Sequence, residues 1–351
     1  MTIDADVHPA VDSVEVLYPY LDSHWVEVAS TSQFRGPTDS AYPPAAATSV
    51  RPELLDLDER QPATTLGQLQ RDVLDGPGVE VAVLACLYAV ESVHNPDAAA
   101  ALASAVNDWQ AAEWLTPEPR LRGSVVVPSQ LPAQAAEEID RVGGDPRLVQ
   151  VLLPVRSLLP YGNRIHLPTL EAAARNGLAV CLHFGGASGH PPTAVGWPTH
   201  HIEEYVDMAC AFQSQLMSMV AEGVFERLPK LRVVCAESGF AWLPAFLWRF
   251  DRLWRGLRRE IPWARRAPSQ TIREHVRFTL QPMDGPADRA QLERLLEMLG
   301  SDQLLMYSSD YPHNHGIDAA AVLGLFPEHL HAGILAGTAR SFLRTDGVSG
   351  G

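Results

Sequence analysis

Four apolar runs in this chain stop at residues that can hold a proton or a metal ion. The run at 3–7 passes through Asp6 and is followed at once by His8. The run at 179–183 ends in His183, and the run at 231–236 is followed by Glu237. The run at 304–307 breaks into "SSDYPHNHG", which places Asp310, Pro312, His313 and His315 within a few residues. Singly, an aspartate or histidine at such a point caps a turn. As a set they suggest more, because a buried carboxylate is costly unless it is paired or bound to a metal. Imidazole and carboxylate oxygen together suit Zn²⁺, and the carboxylate share brings in Mn²⁺.

For those residues to meet, the runs must be neighbouring strands that end on one side. Short, β-branched runs recur at 3–7, 79–86, 121–127, 148–153, 179–183, 231–236, 276–280 and 304–307. Between them lie Ala-rich amphipathic stretches, with helices expected over 95–114, 132–142, 167–176 and 203–227. Alternation of strand and helix predicts βαβ units and a parallel sheet. Eight units predict an α/β fold of the (β/α)8 TIM-barrel type, which needs roughly 250 residues and carries its chemistry at the C-terminal ends of the strands. A doubly wound open sheet is the rival, but it ordinarily brings a glycine-rich first turn. Alternation along the first strand puts Asp6 and His8 on one face, the barrel interior. Residues 26–70, rich in Pro, Ser, Thr and Ala, read as a long insertion after strand 1 that serves as a lid or partner contact. One domain over 1–345 and a flexible tail over 346–351 complete the expected organisation.

Composition removes several classes of function. Among 351 residues the formal net charge is −15, which speaks against a nucleic-acid groove or a polybasic membrane contact. No apolar stretch is long enough to span a bilayer, and the opening residues lack the basic and apolar regions of a secretory leader. The four cysteines, Cys86, Cys181, Cys210 and Cys235, form no C-x-x-C pair. They read as free, reduced and buried thiols of a cytoplasmic protein. Lys230 is the sole lysine and stands before a strand, a poor place for a Schiff base. No nucleophile elbow, P-loop or dinucleotide fingerprint is present.

The other candidates group around the same strand ends. Glu237 is placed to give or take a second proton. His313 is expected to orient a substrate, and His315 to be an exposed turn residue without a role. Trp197, His200 and His201 follow the glycine-rich turn after strand 5 and are expected to wall the pocket. Trp242 sits on the apolar face of "FAWLPAFLWRF" and is expected in the core.

Several stretches in order along the chain carry a family resemblance: "IDADVHP", "AVNDWQAAEWL", "GLAVCLHFGGA", "GVFERLPKLRVVCAESGFAWLPAFLWRFD", "LQPMD" and "MYSSDYPH". The chain resembles the amidohydrolase superfamily, and most of all its branch with aminocarboxymuconate-semialdehyde decarboxylase and γ-resorcylate decarboxylase. The resemblance implies that Asp6 and His8 occupy the H-x-H position, His183 the strand 5 ligand position and Asp310 the strand 8 aspartate. Asp6 departs from the first histidine of the zinc-type motif, and Glu237 stands where the aminocarboxymuconate type has a catalytic histidine. With no lysine at the end of strand 4, the implied centre is mononuclear, one Zn²⁺ or Mn²⁺.

The activity implied first is hydrolysis of a small organic substrate by a metal-activated water, with Asp310 as base and Glu237 as second acid or base. The alternative is non-oxidative decarboxylation of a hydroxybenzoate-like or muconate-like acid. A third reading is a metal-free barrel that only binds. The family resemblance and the insertion together lead us to expect a homodimer acting on a small molecule.

Overall fold

Val, Ile and Leu crowd into runs too short for helices, and in the computed structural model these form eight strands. They are β1 (Ile3–Val7), β2 (Val81–Leu84), β3 (Leu121–Val126), β4 (Leu148–Arg156), β5 (Ala179–Gly186), β6 (Val233–Ala236), β7 (Val276–Thr279) and β8 (Leu305–Met306). The structure describes residues 1–37, 49–55, 61–186, 191–316 and 319–345. The strands pair in chain order and every pair is parallel. Backbone hydrogen bonds join the last strand to the first: Ala5 N–H to Tyr307 O, Asp310 N–H to Asp6 O and His8 N–H to Tyr311 O. The sheet is therefore a nearly closed (β/α)8 barrel, the architecture expected.

Two apolar layers hold it. Inside the barrel, Ile3, Ala5, Val83, Cys181 and Val234 pack together, and Phe342 from the helix Thr338–Leu343 joins that cluster. Outside, alternate strand residues such as Leu84, Val151, Val180 and Leu182 pack with apolar side chains of the surrounding helices. A strand buried on both faces reads as a continuous apolar run, which is why these strands stand out in the sequence.

Element ends differ from expectation where local chemistry intervenes. Helix 95–114 is Pro96–Trp109, capped by the Asn95 side chain, which accepts from the Asp97 and Ala98 N–H groups. It continues as a wider turn over Gln110–Leu115. The long helix over 203–227 is His201–Ala221, followed by a separate turn, Val224–Arg227. Gly223, at φ 73°, leaves the right-handed helical region between them. β4 runs three residues beyond its expected end, to Arg156.

Described parts of 26–70 include the end of the helix Ser23–Ser32 and the short turns Pro52–Leu54 and Leu66–Leu69. Residues 38–48 and 56–60 of that segment, and the tail 346–351, lie outside the described residues. Arg51 ties the segment to the loop after β8. Its Nη2 donates to Ser309 O at 2.6 Å, its Nε to His313 O at 3.0 Å, and its backbone N–H to Pro312 O at 3.0 Å. Among the described residues no helix is long and apolar enough to cross a membrane.

Candidate metal centre

β1 delivers Asp6, with His8 just past its end. The β1–β2 register shifts between Asp4 and Val7, where the apolar inner wall gives way to these polar side chains. His8 Nδ1 lies 2.8 Å from the carbonyl of Ala85. A carbonyl can only accept, so Nδ1 carries the proton. Nε2 is left facing Asp310 Oδ1 at 2.6 Å and Asp6 Oδ1 at 3.5 Å. His183 at the mouth of β5 repeats the device. Its Nδ1 donates to Phe184 O at 3.0 Å, and its Nε2 lies 3.4 Å from Asp6 Oδ2 and 3.9 Å from Glu237 Oε2.

In the neutral form each ring would thus point an Nε2 lone pair at carboxylate oxygens, which is repulsive without a cation between them. Anchoring Nδ1 on a carbonyl is also how ligating histidines fix their tautomer. The alternative to a metal is a proton. Burial pulls the His183 pKa down, but Asp6, Glu237 and Asp310 outweigh it and hold it up at about 10.

The donor set fits a divalent ion. One ligand atom from each of Asp6, His8, His183 and Asp310 falls within 4.8 Å of all the others, and all four residues are buried. Both oxygens of Asp6 and Nε2 of His183 are buried without a hydrogen-bond partner.

Asp310 is held from several sides. Oδ1 meets His8 and, at 3.3 Å, His313 Nδ1, while Oδ2 meets His315 Nε2. Burial alone would raise its pKa, yet His313 and His315 hold the carboxyl well below the usual range. Asp310 at φ 55° and Glu237 at φ 58° both lie in the left-handed region. A non-glycine residue held there stores about 1–3 kcal/mol of strain, a cost that concentrates at functional sites.

His313 is buried, and its ring lies tilted by 32° against that of His8, centroids 4.6 Å apart. It lines a cavity of about 370 Å³ with His8, Tyr88, Arg35, Val50 and Gln61. Burial, opposed by Asp310 and helped by His8 and His183, lowers its pKa to about 4. A smaller cavity of about 40 Å³ reaches His183 and shares Cys86, Leu87 and Tyr88 with the first.

Three expectations need correction. The His315 side chain is 3% exposed and bonded to Asp310, not a free turn residue. Trp197 is 69% exposed, and His200 caps the helix His201–Ala221 with an exposed ring 3.1 Å from Glu203. Neither lines the two cavities beside the cluster. His201 reaches only the edge of the site, 5.8 Å from the Tyr205 ring. Trp242, expected in the core, is half-buried and packs on Phe246 and Phe278 at the core's edge. Sequence reasoning passed over Tyr205, whose hydroxyl lies 2.7 Å from His315 Nδ1 and 3.4 Å from Glu237 Oε1. Its signal was helical phase, since it shares a face with the buried Met208, Phe212 and Met219.

A family model described as Amidohydrolase matches residues 3–345. No curated protein matches the chain by sequence. In structure the chain is similar to 5-carboxyvanillate decarboxylase LigW from Sphingomonas paucimobilis, with TM-score 0.68 and 21% identity over 98% of both chains. It is similar to a dihydroxybenzoic acid decarboxylase from Polaromonas sp. JS666 with bound manganese and the inhibitor 2-nitroresorcinol. That match has TM-score 0.66 and 19% identity over 98% of this chain and 97% of that one. It is also similar to amidohydrolase map2389c from Mycobacterium avium subsp. paratuberculosis K-10, with TM-score 0.73 and 22% identity over 97% of this chain and 98% of that one. At these identities the likeness establishes the shared fold.

Metal binding should be visible as stability. A ligand at a hundred times its Kd adds about 2.7 kcal/mol to the folded state. Mn²⁺ or Zn²⁺ added to chelator-stripped protein should raise its melting temperature, and Asp6→Asn or His183→Ala should remove most of that rise. A melting temperature indifferent to both metals would contradict the assignment.

Proposed function

The chain belongs to the amidohydrolase family, and from that premise we propose a metal-dependent decarboxylase of small aromatic acids that carry a hydroxyl beside the carboxylate. One observation carries the reading. Asp6, His8, His183 and Asp310 meet within 4.8 Å at the mouth of a barrel whose structural likenesses include two decarboxylases. Decarboxylation is therefore better supported than the hydrolysis expected first. The buried carboxylates of Asp6 and Asp310, which face the Nε2 atoms of His8 and His183, speak against a metal-free binding protein. Two carboxylates with two imidazoles and no thiolate favour Mn²⁺ over Zn²⁺ as the single ion, and the Polaromonas enzyme has manganese bound.

When bound, such an ion would act as a Lewis acid on the substrate's carboxylate and hydroxyl oxygens. The chain's own groups supply the rest. The 370 Å³ cavity admits a single aromatic ring, with His313 on its wall. Decarboxylation breaks the bond between ring carbon and carboxyl, leaves the electron pair on the ring carbon, and requires one proton there. Glu237, whose Oε2 lies 3.9 Å from His183 Nε2, is the carboxyl assigned to carry that proton. Its Oε1 lies 3.4 Å from the Tyr205 oxygen, and the Glu237 backbone N–H donates to Thr279 Oγ1 at 2.9 Å. Described residues of the stretch after β1, among them Ser49, Val50, Gln61 and Pro62, wall the cavity, and Arg51 ties them to the loop after β8.

A homodimer fits the apolar side chains left in water near the mouth. Val195, Trp197, Ile202 and Val206 are each more than 65% exposed, and Ile202 and Val206 lie one turn apart on the same helix. Four free thiols fit the reducing cytoplasm.

Manganese-loaded protein should release CO2 from members of a panel of ortho-hydroxybenzoates. Asp310→Asn and Glu237→Gln should each cut turnover by about a hundredfold or more. Turnover of amides or lactones with none on the hydroxybenzoates would overturn the reading. Light scattering should return about twice the 38.3 kDa chain mass, and a single-chain mass at micromolar concentration would refute the dimer.

A further inference from the structure

We infer that Tyr205 and His315 are positioning residues that hold Asp310 in the orientation its metal-facing role demands. The inference rests on the metal reading above and on the contacts that lie behind Asp310. A carboxylate that binds an ion through one oxygen is free to turn about its last bond unless the other oxygen is held. Asp310 Oδ1 faces the cluster through His8, while Oδ2 is taken by His315 Nε2. His315 is itself fixed, because the Tyr205 hydroxyl meets its Nδ1 at 2.7 Å. The two rings lie nearly parallel, 17° apart in plane and 6.3 Å between centroids.

Tyr205 does not depend on the β8 loop for its own place. It projects from the first turns of the helix His201–Ala221, and its ring meets the edge of Phe184 at 5.5 Å, one residue past His183. Donor and acceptor roles run consistently along the chain of contacts. The phenol O–H donates to the bare Nδ1, and Nε2–H donates to Asp310. The brace therefore couples a helix after β5 to the ligand after β8, across residues 110 apart in sequence.

Removing a hydrogen-bonding partner behind a metal ligand ordinarily costs about 10–100-fold in metal affinity. A pair that only supported the loop would cost melting temperature and leave affinity intact. The test is the Kd for Mn²⁺, measured by competition with a fluorescent chelator on the parent chain, Tyr205→Phe, His315→Ala and the double variant. Each single change should weaken binding at least tenfold. Because Tyr205 acts through His315, the double variant should bind within about threefold of His315→Ala. The two single variants break the brace from opposite ends, so one that folds suffices for a reading. Single variants within twofold of the parent, or losses that multiply in the double variant, would overturn the brace. A parent with no measurable Mn²⁺ affinity would overturn the metal reading and the brace with it.

Discussion

Buried charge governs this molecule. Asp6, Glu237 and Asp310 stand at one end of the barrel with His8, His183, His313 and His315 among them, nearly all shut off from solvent. Carboxylates so placed repel one another and lack water, so the fold is viable only with positive charge among them. Protons on the imidazoles are one supply, favoured at His183 by the Asp6, Glu237 and Asp310 carboxylates around it. A divalent ion is the other, and the carbonyl-anchored tautomers of His8 and His183 are set for it.

The rest of the architecture serves that arrangement. A parallel barrel ends all its strands on one side, so residues distant in sequence meet without any long loop having to carry them. Closure is part of the site: the backbone bonds between Asp310 and Asp6 and between His8 and Tyr311 seam the barrel and set the ligands side by side. The left-handed backbone at Glu237 and Asp310 turns each carboxylate off its strand line. That strain is tolerated because two apolar layers fix the barrel around it.

Much of this was legible in the sequence, and the reason is physical. Strands buried on both faces announce themselves as apolar runs, and polar residues at or just past the end of such a run sit at the barrel mouth. Asp6, His8, His183, Glu237 and Asp310 were found that way. The pattern does not say where a loop residue goes once the strand has ended. His315 looked exposed because it is flanked by Asn314 and Gly316, yet its side chain turns back to Asp310. Trp197 and His200 looked like pocket walls because they follow β5, yet the chain leads them outward to solvent. Tyr205 was hidden because an aromatic on a helix's buried face reads as core.

The central claim is that one divalent ion belongs among Asp6, His8, His183 and Asp310. Anomalous diffraction at the manganese edge, from crystals of Mn²⁺-loaded protein, tests it most directly. The account predicts a single strong peak within bonding distance of Asp6, His8 Nε2, His183 Nε2 and Asp310. A peak elsewhere, or none in manganese-saturated crystals, would contradict it.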